Sequence, residues 1–129
     1  MATRQIIDPG WAWDDAYGYA QCVRVGDTLH LAGQMPVDRD GALVGAGDIA
    51  AQARQCFANV AAVLDAAGSS LADLVDVTYY LTDMAEVMAV AGVMAECLPP
   101  DAPAATVVGI TSLFLPGQKI EIRATAVAR

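Results

Sequence analysis

Between residues 48 and 67, apolar side chains recur at three- and four-residue steps. The recurring positions form one stripe: Ile49, Ala53, Cys56, Phe57, Val60, Val63 and Leu64. This spacing is typical of an amphipathic helix that packs one face on a core. Gly68 follows, where a left-handed C-cap is expected. The pattern therefore predicts a helix from Asp48 to about Ala67.

A second, shorter helix is predicted between Asp83 and the pair Pro99-Pro100. Asp83 and Glu86 have the spacing of a capping pair at a helix start. The two prolines end the helix, because proline lacks a backbone N–H and restricts the residue before it. The side chains expected to face inward are Val87, Val90, Met94 and Cys97.

Residues 119–128 alternate strictly between apolar and polar side chains, as a strand with one buried face does. Ile120, Ile122, Ala124 and Ala126 face one side, and Lys119, Glu121, Arg123 and Thr125 face the other. Residues 74–81 and 105–110 are further predicted strands. Residues 20–25 and 28–32 flank the turn-forming pair Gly26-Asp27 and predict a hairpin.

The predicted order is ββ-α-β-α-ββ, preceded by a lead-in at residues 4–17 and with a loop at residues 37–47. It indicates one α+β domain spanning residues 1–129, in which a mixed sheet of five or six strands carries two helices on one face. The other face needs a cover, and association between subunits provides one.

The charge of the chain limits its partners. Fifteen acidic residues and seven basic residues give a net charge of −8, and Lys119 is the only lysine. Nucleic acids and anionic membrane surfaces bind clustered basic residues, so neither is an expected partner. The chain has neither an apolar run of about 18 residues nor a secretory pattern at its start, which favours a cytoplasmic protein. Its three cysteines are expected to be buried thiols.

The residue inventory excludes most catalytic signatures. His30 is the only histidine, and the cysteines form no CxxC pair, so neither a metal site nor a metal cofactor is expected. His30 itself is interpreted as a strand-face residue, because it lies between two inward leucines. No serine lies in a GxSxG motif.

Glu121 is the candidate that remains, and two interpretations of it stay open. Either it pairs with Lys119 or Arg123 in a salt-bridge ladder on a solvated face, or it lies in a cleft and activates water. The aromatic cluster of Trp11, Trp13, Tyr17 and Tyr19 is likewise open: it packs the lead-in or forms the wall of a small-molecule pocket.

Four segments together resemble one family: GYAQCVRVGDTLHLAGQMPVD, AAQARQCFANVAAVLDAAG, DLVDVTYYLTD and PGQKIEIRATAVAR. In this order they are similar to the Rid family, also called YjgF, of reactive-intermediate deaminases. The resemblance implies a chorismate-mutase-like fold in a homotrimeric barrel with small-molecule clefts between subunits. It also implies hydrolysis of 2-imino or 2-enamino acids to keto acids and ammonia, without metal or cofactor.

By that resemblance, three site residues are retained: Tyr19 lines the cleft, the Gly33 N–H helps hold the substrate, and Glu121 is associated with the hydrolytic water. Three other positions depart from the family pattern. Ala105 stands where the family has the arginine that clamps the substrate carboxylate, Val107 replaces a cysteine, and Ala91 replaces a cleft asparagine.

The loss of three polar groups predicts a ligand that is neutral, more apolar, or held by another cation, with Arg24, Arg54 and Arg123 as candidates. The favoured function is a hydrolase that deaminates a specialised imine or enamine rather than standard 2-imino acids. The alternative is a non-catalytic small-ligand-binding or regulatory trimer. An RNA-cleaving protein is least favoured because of the net charge.

Overall fold

The computed structural model describes residues 3–11 and 17–129. Its elements are β1 (Arg4–Ile7), β2 (Cys22–Val25), β3 (Thr28–Leu31), α1 (Ile49–Ala66), β4 (Leu74–Leu81), α2 (Val87–Cys97), β5 (Ala104–Gly109) and β6 (Ile120–Val127). The strands form one sheet in the order β1-β2-β3-β6-β4-β5. The α+β architecture predicted from the sequence is confirmed, with six strands rather than five.

The sheet is mixed because one pair of neighbouring strands is parallel. β4 and β5 are parallel and are joined through α2, whereas the other pairs of neighbouring strands are antiparallel. The predicted hairpin is β2–β3, with Gly26 at a φ of +61° in its turn. The last strand, β6, lies between β3 and β4 and therefore at the centre of the sheet.

The first helix follows its predicted pattern. Asp48 is the N-cap, and its Oδ1 accepts a hydrogen bond from the Ala51 N–H at 3.1 Å. All seven stripe residues are buried. Gly68, at a φ of +74°, follows the C-cap Ala67, so the helix ends where the glycine predicted it would.

The start of the second helix differs from the predicted capping pair. Asp83 does cap the chain, but the turn that it caps is a 3-10 turn, Met84–Glu86, and its Oδ1 accepts from the Ala85 N–H at 3.0 Å. The Glu86 carboxylate instead accepts a hydrogen bond from Lys119 Nζ at 3.1 Å. The prediction for Glu86 was wrong because an ion-pair partner, Lys119, lies within its reach just before β6.

The lead-in contains a strand that the pattern did not reveal. β1 pairs with β2 at the edge of the sheet, in a register that joins Gln5 to Arg24. Three of its four residues are exposed, so no apolar alternation marks it. Trp11 is buried, with the Arg39 guanidinium 4.9 Å from its ring centroid, whereas Trp13 lies outside the described residues.

The sheet has one covered face and one open face. Alternate residues of β6 are buried under the helices, while Glu121, Arg123 and Thr125 lie on the other side. In β3, Leu29 and Leu31 are buried and His30 is exposed, as the sequence predicted. Within the described residues, both helices are on the covered side. Glu121 therefore lies on the open face.

Tyr79 allows the stabilising effect of a buried ring to be measured separately from the cost of its buried hydroxyl. Its ring is fully buried, its hydroxyl has no hydrogen-bond partner among the described residues, and burial raises the pKa of Tyr79 to about 12. We expect Tyr79→Phe to leave the free energy of unfolding unchanged or raise it by about 1 kcal/mol, because a buried hydroxyl without a partner is costly. Tyr79→Ala should lower it by about 3–5 kcal/mol through the cavity that it leaves. Denaturant unfolding of both variants checks this, and a loss above 1 kcal/mol for Tyr79→Phe would show a hidden partner.

Candidate functional site

A cavity of about 420 Å³ opens beside the centre of the sheet. It is lined by Tyr17, Tyr19, Ala32, Gly33, Met35, Phe114 and Glu121. This volume is in the range of small-molecule sites. Three of the residues singled out from the sequence, Tyr19, Gly33 and Glu121, therefore meet in one place.

The sheet itself brings Gly33 and Glu121 together. The Gln34 N–H donates to the Ile122 carbonyl at 2.7 Å, and the Ile122 N–H donates back to the Gln34 carbonyl at 3.1 Å. This bridge continues the β3–β6 pairing past the end of β3. A Cβ built on Gly33 would lie 2.8 Å from Glu121 Cδ, so the carboxylate lies directly against the Gly33 backbone.

The salt-bridge ladder considered for Glu121 does not form. Lys119 pairs with Glu86, and across residues 3–11 and 17–129 no ion pair joins Glu121 to Lys119 or Arg123. Glu121 is partly exposed and faces the cavity. Its carboxylate is thus in contact with the cavity and has no cationic partner within the described part of the chain.

Gln118 supports this carboxylate, and sequence reasoning missed it. Its buried amide accepts from the Leu115 N–H at 3.2 Å and donates from Nε2 to the Ile120 carbonyl at 3.1 Å. The same Nε2 lies 3.4 Å from Glu121 Oε1. The signal available was weak: a single polar residue between a Pro-Gly turn and an alternating strand.

Aromatic rings form the rim of the cavity. Tyr17 and Phe114 meet edge to face, with ring centroids 5.7 Å apart and an interplanar angle of 75°. Both are more than half exposed, and Tyr19 is exposed beside them. In the aromatic cluster predicted from the sequence, Tyr17 and Tyr19 line the cavity, whereas Trp11 packs in the core. Phe114 was missed because it lies in a loop without a periodic pattern.

The three positions that depart from the family pattern lie elsewhere in the chain. Ala105 and Val107 are in β5, paired in register with Val77 and Tyr79 of the covered face. Ala91 is in α2, on that same side of the sheet. None of the three lines the cavity beside Glu121. A single chain therefore does not bring the two groups of residues together.

Two of the three candidate replacement cations are engaged away from the cavity. Arg24 pairs with Asp27 at 3.2 Å in the hairpin turn, and Arg54 makes two 2.9 Å hydrogen bonds to Glu96. The Glu96 carboxylate raises the pKa of Arg54 through these hydrogen bonds. Arg123 lies on the open face beyond the cavity lining.

The nearby thiol is not poised for nucleophilic chemistry. Burial, and to a lesser degree the charge of Glu121, raises the pKa of Cys56 well above its ordinary value. A thiol held protonated is a poor nucleophile and metal ligand. Cys22 is also buried, whereas Cys97 is only partly buried, contrary to the expectation of three buried thiols. In the described segments, no group of three or more His, Cys, Asp or Glu residues is arranged to hold a metal ion.

Comparison with known proteins identifies the family. The family described as Endoribonuclease L-PSP matches residues 12–128. Among solved structures, RidA from an Antarctic Psychrobacter superposes with a TM-score of 0.87 at 31% identity, covering 95% of this chain and 98% of that one. A Mycobacterium tuberculosis member of the YjgF family gives 0.83 at 32% identity, covering 98% and 100%. The fold and the site thus define a small YjgF-type α+β protein.

The chain belongs to the Endoribonuclease L-PSP family, which includes the YjgF, RutC and Rid proteins. A RutC family protein of Pyrococcus horikoshii is 39% identical over 95 residues, 74% of this chain and 75% of that protein. A Dermatophagoides farinae protein named 2-iminobutanoate/2-iminopropanoate deaminase is 32% identical over 88% of each chain. A Schizosaccharomyces pombe relative named mmf1, mitochondrial, is 34% identical, over 85% of this chain and 67% of that protein.

The contact between Gly33 and Glu121 can be tested by the substitution Gly33→Ala, which adds one methyl group. In Gly33→Ala, the new Cβ overlaps the Glu121 carboxylate, and we expect the flexible acid to move while the fold is kept. The free energy of unfolding should fall by less than about 1 kcal/mol, whereas a crystal structure should show the carboxylate displaced. Gly92→Ala, in a helical position with open space, is the matched control. An unmoved carboxylate in Gly33→Ala would contradict this description.

Proposed function

We propose that this protein is a cofactor-independent hydrolase that deaminates an imine or enamine other than the standard 2-imino acids. The observation that carries the proposal is Glu121: an acidic side chain at a small-molecule cavity, with no cationic partner among the described residues. The deaminase name of the mite relative supports the reaction class. The replaced arginine, at Ala105, argues against a standard 2-imino acid.

In the proposed reaction, Glu121 accepts a proton from water as that water attacks the imine carbon. A C–O bond forms and the C=N π electrons move to nitrogen, giving a carbinolamine. That proton then passes from Glu121 to the nitrogen. As the C–N bond breaks, the oxygen forms the C=O bond and gives its hydroxyl proton back to the Glu121 carboxylate, so the products are a carbonyl compound and ammonia. The Gly33 N–H helps hold the substrate beside the acid. The reaction consumes only water, so it requires no redox partner.

The assembly proposed is a homotrimer with clefts between subunits. Glu121 lies on the open face of the sheet, while the β5 residues and Ala91 lie on the covered side. A neighbouring copy can bring its β5 edge to the cavity, which one chain cannot do for itself. The half-exposed aromatic rim, together with Val25 and Val127 on the open face, supplies apolar surface for such contacts.

The alternative is a trimer that binds a ligand without catalysis. A salt-bridged Glu121 or a closed cleft would favour it. Lys119 pairs with Glu86 instead, and the cavity opens to solvent. RNA cleavage, which the family description names, is disfavoured by the net charge of −8 and the single lysine.

The cellular compartment stays a prediction. A cytoplasmic location was expected, and the fission yeast relative is named a mitochondrial protein. The described residues contain no helix both long and apolar enough to cross a bilayer.

The proposed assembly can be measured directly. Light scattering coupled to size exclusion should give about three times 13.4 kDa at micromolar concentration. Val25→Lys, which puts a charge on the open face in β2, should shift the mass toward the monomer because it buries an unpaired charge. Ala46→Lys, at an exposed loop position, is the control and should leave the mass unchanged. A stable monomer of the unmodified chain would remove the intersubunit site.

The proposed role of Glu121 predicts a loss of turnover without a loss of fold. Glu121→Gln keeps the size of the side chain but removes the base, so ammonia release should fall about 100-fold or more. The assay uses imines generated in situ by an amino-acid oxidase or an amine oxidase. Glu96→Gln, which makes the same change away from the cavity, should keep full activity. Equal rates for Glu121→Gln and the unmodified protein would overturn the proposal.

A further inference from the structure

We propose that the cavity beside Glu121 takes an organic cation: a protonated imine or amine with an aromatic or aliphatic body and no carboxylate. This inference rests on the proposed function, because it names the substrate class of the same site. It goes further by specifying the charge of the ligand and the part of the cavity that each end contacts.

The first step is the charge of the cavity wall. Among the described residues that line it, Glu121 is the only carboxylate or basic side chain. The remaining groups are two phenols, a phenyl ring, a thioether, a methyl group and a glycine. A ligand carboxylate would therefore lie near a negative charge without a counter-ion, whereas a cationic nitrogen would pair with it.

The second step is that the positive charges of the chain are committed elsewhere. All seven lie in the described segments, and five are engaged: Arg24 with Asp27, Arg39 on Trp11, Arg54 with Glu96, Lys119 with Glu86 and Arg129 with Asp73. The other two, Arg4 and Arg123, are exposed and do not line the cavity. The chain thus offers no carboxylate clamp there.

The third step concerns the body of the ligand. Tyr17, Tyr19 and Phe114 present aromatic surface at the rim, and the Tyr17–Phe114 edge-to-face pair leaves ring faces available. Aromatic faces attract cations and pack against apolar groups. A hydrophobic body against this rim places a charged nitrogen toward Glu121.

A neighbouring copy would not reverse this preference if the proposed trimer forms. The residues that would close the cleft from β5 and α2 are Ala105, Val107 and Ala91, which carry no charge. The net charge of −8 on each chain also repels anions and attracts cations at long range.

The experiment compares three ligands with the same phenylethyl body at pH 7 and low salt: 2-phenylethylammonium, 2-phenylethanol and 3-phenylpropionate. Titration calorimetry should show the cation binding at least tenfold more tightly than the carboxylate, with the alcohol between them. In Glu121→Gln, the cation should lose about tenfold in affinity while the alcohol is unchanged. Glu96→Gln removes the same charge from a distant helix and should change none of the three.

In the binding experiment, two results would overturn the inference: 3-phenylpropionate binding as tightly as the cation, or no detectable binding of the cation at millimolar concentration. Binding needs no turnover, so the two proposals fail separately. A protein that prefers the cation but hydrolyses no imine keeps this inference and loses the proposed function. Efficient hydrolysis of 2-iminopropionate overturns this inference and the exclusion of standard 2-imino acids, while the cofactor-independent hydrolase activity stands.

Discussion

The register of β6 at the centre of the sheet is the constraint on which the rest of the structure depends. Its even-numbered residues from Ile120 to Ala126 are buried beneath the helices, so its odd-numbered residues must face the open side. A slip of one residue would exchange the two sets and bury Glu121 in the core. The free energy gained by burying these four apolar side chains therefore also places Glu121 on the open face of the sheet.

The negative charge of the candidate site depends on Glu86, a residue far from Glu121 in the sequence. Lys119 is only two residues from Glu121 in the sequence, but its ammonium reaches Glu86 at the start of α2. The Lys119–Glu86 pair links the start of β6 to the connection between β4 and α2. It also holds the ammonium of the only lysine away from the cavity. Gln118, a neutral donor, is then the side chain that supports Glu121. A neutral donor orients a carboxylate without cancelling its charge.

Elements whose periodicity covers several turns or pairs were predictable from sequence. α1 and β4 were predicted to within a residue, because burial of one face leaves a long apolar pattern. β1 was not, since an exposed four-residue edge strand carries no pattern. In the candidate site, Glu121 was found by elimination and Tyr19 through the aromatic cluster, whereas Gly33 was found through a family motif alone. Phe114 and Gln118 were not found, because loop packing and amide orientation are tertiary properties that leave no local signal.

The close approach of Gly33 to Glu121 has an evolutionary consequence. As long as position 121 carries a carboxylate, any side chain at position 33 must compete with it for the same space. The two positions are therefore epistatic: a substitution at 33 becomes free only after the acid has been lost. Proteins descended from this chain that lose the acid can vary at position 33, and an acid regained at position 121 would then be displaced from its present position by the new side chain.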